Sequence, residues 1–287
     1  MSRPAVFVEP CAGLANLSIR LAAGGDSRGP VGRFGAKAKY ADAILDLLGL
    51  APGMGADRYL WAEADPAVRA VLRAYPDPEI LSGAAEQIAA WEQEDALLLW
   101  ERLRHAGPIS ETSPEEVARW VALLSSNRLI NVAWDETRGR FSNTGNGGDT
   151  FGGPEFCNLA RGRAGLERLV GIEWSPVEVA SDARSLLRLA TPEESRRAVV
   201  FIDPPYRATS GYGFQFGRRD VIRLALSWVR AGALVAISEA EPIAALARLG
   251  WSVVEITRRV SGKRTHFSKQ QREFLTISGR PRSGGSQ

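Results

Sequence analysis

The chain has 287 residues, 45% of them hydrophobic and 24% charged, with a formal net charge of +3 and a pI of about 9.1. That is apolar material for one large domain, or for one domain with a sizeable insertion, and the mildly basic balance permits a polyanionic partner without requiring one. Two cysteines and two histidines exclude a disulfide framework and a structural zinc, no apolar run is long enough for a bilayer, and the opening Met1-Ser2-Arg3-Pro4 lacks a signal peptide's apolar core, so a cytoplasmic protein is expected.

Ala5-Val6-Phe7-Val8 reads as a buried strand, ending at Glu9-Pro10. Cys11-Ala12-Gly13-Leu14-Ala15-Asn16-Leu17 follows as a small-residue turn into a helix, with Leu17, Leu21 and Ala22 on one face. A strand, such a turn and a helix make a corner where backbone can approach an anion or cofactor closely, or simply a tight turn. Residues 24–35 read as an exposed Gly/Pro/Arg loop and Lys37–Leu50 as an amphipathic helix through Tyr40, Ile44, Leu47 and Leu48. Arg58–Ala62 is a second strand tipped by Glu63, and Asp65-Pro66 opens the next helix.

From residue 82 to 169 the strand–helix alternation breaks. Ala84–His105 is predicted as one helix, and Ser113-Pro114-Glu115-Glu116 as the capped start of another. Asn131–Asn158 is predicted as a long polar loop, carrying Arg138, Arg140 and Asn143. Alternation returns with a helix ending at Val170 and a strand at Val177–Ala180, with Asp182 just beyond it. Val199-Val200-Phe201-Ile202 is then a strand buried on both faces, stopped by Asp203-Pro204-Pro205-Tyr206. A loop with Tyr212, Phe214 and Phe216 leads to a helix at 219–230, a strand at 233–237, a helix at 242–249 and a strand at 251–257. Glu273–Ser278 is the last strand, predicted to form an antiparallel hairpin with its predecessor across a basic turn holding Lys263 and Arg264. Residues 280–287 are expected to be a disordered tail.

Glu63, Asp182 and Asp203 thus stand at the carboxyl ends of three strands, where open α/β sheets bind ligands. An acid at the second strand tip suits ribose hydroxyls. No phosphate-loop Lys-Ser/Thr pair is present, which favours a ligand without phosphates such as S-adenosylmethionine. The Asp203 carboxylate and the Pro204 carbonyl can each accept one N–H of an exocyclic amine and aim its lone pair at a sulfonium methyl. Tyr206 offers a face on which a flipped base can stack. Arginine supplies most of the positive charge, since lysine occurs only at Lys37, Lys39, Lys263 and Lys269. Arginine suits phosphate and guanine, and GC-rich coding gives the same bias.

These motifs resemble those of the alpha-group, Dam-type DNA adenine N6-methyltransferases. Val8–Gly13 is similar to the family's first cofactor motif, Arg33–Lys37 with Tyr40–Ile44 to its methionine-end motif, and Ala62–Pro66 to its ribose-binding motif. Ala180–Asp182 is similar to its adenine-ring motif, Asp203–Tyr206 to its catalytic tetrapeptide, and Gly262–Arg264 with Glu273–Leu275 to its C-terminal hairpin. The resemblance implies a Rossmann-like α/β methyltransferase sheet, mostly parallel with a C-terminal antiparallel hairpin, over residues 1–81 and 170–279. It assigns 82–169 to target recognition. It implies catalysis by Asp203, Pro204, Pro205 and Tyr206 without a metal, and S-adenosylmethionine held by Glu9, Pro10, Cys11, Ala12, Gly13, Phe34, Lys37, Glu63 and Asp182. It further implies double-stranded DNA contacted by Arg138, Arg140, Asn143, Lys263 and Arg264, a monomer or weak dimer, and a restriction nuclease as a possible partner. The chain departs from the family where Ala15 replaces a second glycine and where the methionine-end motif follows the first motif. Cytosine N4, RNA adenine and a protein glutamine remain open as acceptors, as does a DNA-binding relic without turnover.

Overall fold

The fold is that of a computed structural model describing residues 2–25, 27–31, 37–126, 132–143, 157–205, 216–257 and 272–279. Phe34, Tyr206, Lys263, Arg264, the aromatic loop through Phe214 and the tail lie outside these residues, as does the side chain of Asn143.

The apolar runs form strands β1 (Val6–Glu9), β2 (Tyr59–Ala62), β5 (Val177–Ala180), β6 (Ala198–Ile202), β7 (Leu234–Glu239), β8 (Ser252–Glu255) and β9 (Phe274–Ile277). They make one seven-stranded sheet in the order β5-β2-β1-β6-β7-β9-β8. The first five strands in that order pair in parallel, and β9 runs antiparallel to both β7 and β8. The expected sheet, mostly parallel with a closing antiparallel hairpin, is therefore present, with β9 inserted between β7 and β8.

Residue parity sorts the sheet into two dry faces, because successive side chains in a strand point opposite ways. Phe7, Tyr59, Trp61, Val199, Phe201, Ala236, Leu275 and Ile277 share one core. That core is covered by α1 (Asn16–Ala23), α2 (Ala41–Leu48), α3 (Pro66–Ala74), α4 (Pro78–Trp91), α6 (Pro114–Ser125) and α7 (Leu159–Val170). Val6, Val8, Leu60, Ala62, Val200, Ile202, Val235 and Ile237 face the other way. They meet the short helix α8 (Leu186–Leu189), α10 (Arg218–Arg230) and α11 (Ala244–Arg248). A further short helix, α9 (Pro192–Arg196), leads into β6. Burying a side chain such as Phe7 or Phe201 completely is worth about 1.5–3 kcal/mol.

Three expectations change. The helix predicted over Ala84–His105 is two helices, α4 and α5 (Ala96–His105). The polar run Glu92-Gln93-Glu94-Asp95 breaks it, and the Asp95 carboxylate restarts it by accepting from the N–H groups of Leu97 and Leu98. The polar loop predicted over Asn131–Asn158 contains an antiparallel hairpin, β3 (Val132–Asp135) with β4 (Arg140–Asn143). Its alternation puts Trp134 against Phe141 at 5.4 Å between ring centroids, edge to face. The helix predicted from Lys37 begins as a 3-10 turn, Ala38–Tyr40, before α2. By contrast Ser113 caps α6 and Pro114 fills its first turn, as the sequence predicts. The segment 82–169 shares the core on the first face with the sheet.

Candidate active site

Parity also decides which polar residues meet. Glu9 continues the Phe7 register, Asp203 that of Phe201, Ser238 that of Ala236, and Glu273 precedes Leu275 by two. All four therefore turn to the face covered by α1 and α2. Five parallel strands end at that edge of the sheet, and β9 begins there because it runs backwards.

Glu9 is 3% exposed. Its Oε1 accepts from the Ser18 N–H at 2.9 Å and from the Ser18 hydroxyl at 2.5 Å. The Trp61 indole N–H in turn donates to Ser18 Oγ at 2.8 Å. α1 has no side-chain cap of its own, since Ala15 occupies that position in a left-handed conformation with φ 48° and ψ 40°. Glu9 reaches across to satisfy one of the orphan N–H groups of the first turn. Burial pushes its carboxyl up to about 7, against the Ser18 bonds, with the Asp203 charge adding to the rise.

Glu63, beyond β2, holds the β1–α1 turn. One carboxylate oxygen accepts from the Gly13 N–H at 3.0 Å and the other from the Asp65 N–H at 3.0 Å. Arg69 secures the segment by donating to the Glu63 and Ala64 carbonyls. Asp65 takes the cap of α3, accepting from the Ala67 N–H at 2.9 Å. Gly13 has φ +53°, and a Cβ built on it meets nothing within 4 Å. The turn thus presents bare backbone to open space. Pro10 and Ala12 are buried behind it. Asp182 is exposed past β5 and accepts from the Arg184 N–H at 2.9 Å.

Asp203 leaves β6 with its side chain 21% exposed. Lys37, 4% exposed, places its ammonium 2.8 Å from Asp203 Oδ1 and 3.8 Å from Glu273 Oε1. No contact to Asp203 Oδ2 is seen among the described residues. The Ser238 hydroxyl donates to Glu273 Oε1 at 2.5 Å. Burial pushes the Asp203 carboxyl up to about 6, with the Lys37 ammonium opposing and Glu273 reinforcing the rise. The Lys37 ammonium is held above its usual range: burial pulls it down, and the charges of Asp203 and Glu273 outweigh that. Cys11 lies between the two acidic corners. Burial first, then the charges of Glu63 and Asp203, hold its thiol well above the usual range.

Lys37 and Asp203 are both predicted site residues, and the structure joins them directly. Glu273 and Ser238 are not among the predicted site residues. Their signal is faint: each is a polar residue at the rim of an apolar strand. Arg138 is exposed on the β3–β4 turn and pairs with Asp135 at 3.5 Å, while Arg140 starts β4 half-buried. Among the described residues no cluster of His, Cys, Asp or Glu is placed to hold a metal, and no helix is long and apolar enough to cross a membrane.

No protein-family model and no curated protein matches the chain. Two solved structures of the rRNA methyltransferase aviRa from Streptomyces viridochromogenes are similar to it, at 15% and 14% identity and TM-scores of 0.34 and 0.35. The matches cover 100% and 96% of this chain and 81% and 77% of those chains. Likeness that loose says nothing of chemistry, which rests on the site itself.

Proposed function

We propose that the chain is an S-adenosylmethionine-dependent methyltransferase acting on the N6 amino group of a flipped-out adenine in double-stranded DNA. One observation carries the reading: Glu63, holding the Gly13 turn past β2, and Asp203, paired with Lys37 past β6, stand on either side of β1 at one edge of the sheet. A donor held at the first corner would present its methyl to an acceptor at the second.

The residues present fit such a donor. The open space at Gly13 would take its methionine end, the Glu63 carboxylate its ribose hydroxyls, and the exposed Asp182 its adenine ring. When bound, the sulfonium supplies an electrophilic methyl group. Asp203 Oδ2 and the Pro204 carbonyl would accept the two N–H bonds of the amine and so leave its lone pair directed at that methyl group. Asp203, with its carboxyl pushed up to about 6, can take the proton that the amine sheds. Lys37 balances the charge of Asp203 throughout.

DNA contact is assigned to Arg138, Arg140, Asn143, Lys263 and Arg264. Arg138 is exposed at its hairpin turn. The flanks of residues 258–271 support the other pair, because Ile256 and Glu273 are hydrogen-bonded backbone to backbone at the edge that carries Asp203. The test is methyl transfer from labelled S-adenosylmethionine to duplex DNA, followed by nuclease digestion and separation of the nucleosides. Label is expected in N6-methyladenine, reduced about 10²–10³-fold in Asp203→Ala, as for loss of a preorganised electrostatic contact. Label in cytosine, in RNA alone or in protein, or label indifferent to Asp203, overturns the reading.

A further inference from the structure

The transfer step above uses neither Glu273 nor Ser238, yet both are buried beside the acid, at 5% and 0% exposure. We infer that Glu273, steadied by Ser238, is a positioning residue that fixes the Lys37 ammonium against Oδ1 of Asp203 and so turns Oδ2 toward the acceptor. The inference rests on the methyltransferase reading only for its kinetic consequence.

A lysine ammonium on a four-carbon stem has no preferred direction of its own and needs more than one anchor to be held in one place. Asp203 is one anchor and Glu273 a second, from two strands with β7 between them. The Ser238 hydroxyl, on that intervening strand, fixes the orientation of the second carboxylate. The arrangement is costly. Asp203 and Glu273 share one ammonium, Glu9 lies near enough to feel the Asp203 charge, and each carboxylate raises the cost of ionising the next. A neutral side chain at position 273 could accept from Ser238 equally well. What it could not do is pull on Lys37. Asp203 is faced by Lys37 from the start of the 3-10 turn, by Glu9 from β1, by Glu273 from β9 and by Cys11 from the β1–α1 turn, and Lys37 is faced also by Tyr40.

The experiment titrates the Asp203 carboxyl by carbon NMR in the full chain, using aspartate labelled at the carboxyl carbon, in wild type, Glu273→Gln and Ser238→Ala. Steady-state kinetics on duplex DNA and thermal midpoints accompany it. Removing the Glu273 charge should lower the Asp203 midpoint by more than about 0.3 unit. It should also lower kcat about tenfold at the plateau with both KM values unchanged, as expected when a reacting group is misaimed. Ser238→Ala should move both quantities in the same directions by less, and it tests the idea should Glu273→Gln not fold. An Asp203 midpoint unmoved in a folded variant, or a kcat unmoved while wild type methylates DNA, overturns the inference. A shifted midpoint in a chain that methylates nothing leaves the positioning intact and removes the proposed function.

Discussion

Replacing Lys37 by methionine keeps the apolar stem and deletes the ammonium that faces Asp203 and Glu273. At 2.8 Å and an effective dielectric constant of about 20, the attraction to Asp203 is about 6 kcal/mol before desolvation is subtracted. Breaking a buried pair from one side costs about 3–5 kcal/mol, because the remaining charge is left alone. Asp203 escapes part of that cost by taking a proton. Its carboxyl is already raised to about 6 in the wild type, and losing Lys37 carries it further up. A carboxyl raised on folding holds protons that the unfolded chain releases, so stability falls as pH rises from the unfolded value to the folded one. In the wild type this fall is complete near pH 6. In Lys37→Met it continues above that, at about 1.4 kcal/mol per unit. The stability gap between the two proteins should therefore be small near pH 5.5 and should widen by about 2–3 kcal/mol between pH 6 and 8. Glu9 titrates in the same window in both proteins and largely cancels. Urea unfolding followed by tryptophan fluorescence at four pH values measures the gap. A constant offset across that range, or a variant as stable as wild type at pH 8, refutes the pairing as the source of the effect.

Glu9→Gln keeps an acceptor for Ser18 and removes a carboxyl raised from 4.5 to about 7, so the share of the wild type's loss of stability that Glu9 causes between those pH values should vanish, leaving that of Asp203. The variant should gain up to about 3 kcal/mol on the wild type by pH 8, read from the same urea curves, and a gain independent of pH would contradict the assignment. At Ala15, φ 48° costs a non-glycine residue about 1–2 kcal/mol. Glycine would lose a buried methyl worth about 0.8 kcal/mol and add unfolded-chain freedom worth about 0.4–1 kcal/mol. Ala15→Gly should therefore fall within about 1 kcal/mol of wild type. Ala15→Val should destabilise by about 3 kcal/mol or more, through strain and overpacking. Thermal midpoints that rank these two variants the other way would show that the left-handed residue is not the source of strain.

The sheet was legible because its strands are short apolar runs that end in an acid, a proline or a glycine. Four-residue stretches such as Val6–Glu9 and Tyr59–Ala62 admit few other readings when helical patterns alternate with them. Hydrophobic pattern reports which side faces the core, and so it also carried the parity that gathers Glu9, Asp203 and Glu273. It could not report the partner. Lys37 and Asp203 are remote in sequence, and only the fold, which sets the 3-10 turn against α1 and α2, brings them to 2.8 Å. The β3–β4 hairpin stayed hidden for a different reason. Its alternation is only four residues long on each side and lies next to a glycine-dense stretch, whose composition outweighs it. The break at Glu92–Asp95 was readable in principle, since an aspartate after a run of polar residues is a helix start. The apolar count on either side concealed it.

The place of β9 bears on how the chain is made. β9 is last in sequence among the described strands, yet it sits inside the sheet, with β7 on one side and β8 on the other. As the polypeptide leaves the ribosome, Glu9 and Lys37 emerge early and Asp203 later, while β7 and β8 wait without a common neighbour. Through that interval each offers unpaired backbone groups to any passing strand. A premature stop before Phe274 would make the interval permanent and would delete Glu273 if it fell one residue earlier. The product of such a truncation is expected to be an aggregating chain with open strand edges, not a soluble inactive one.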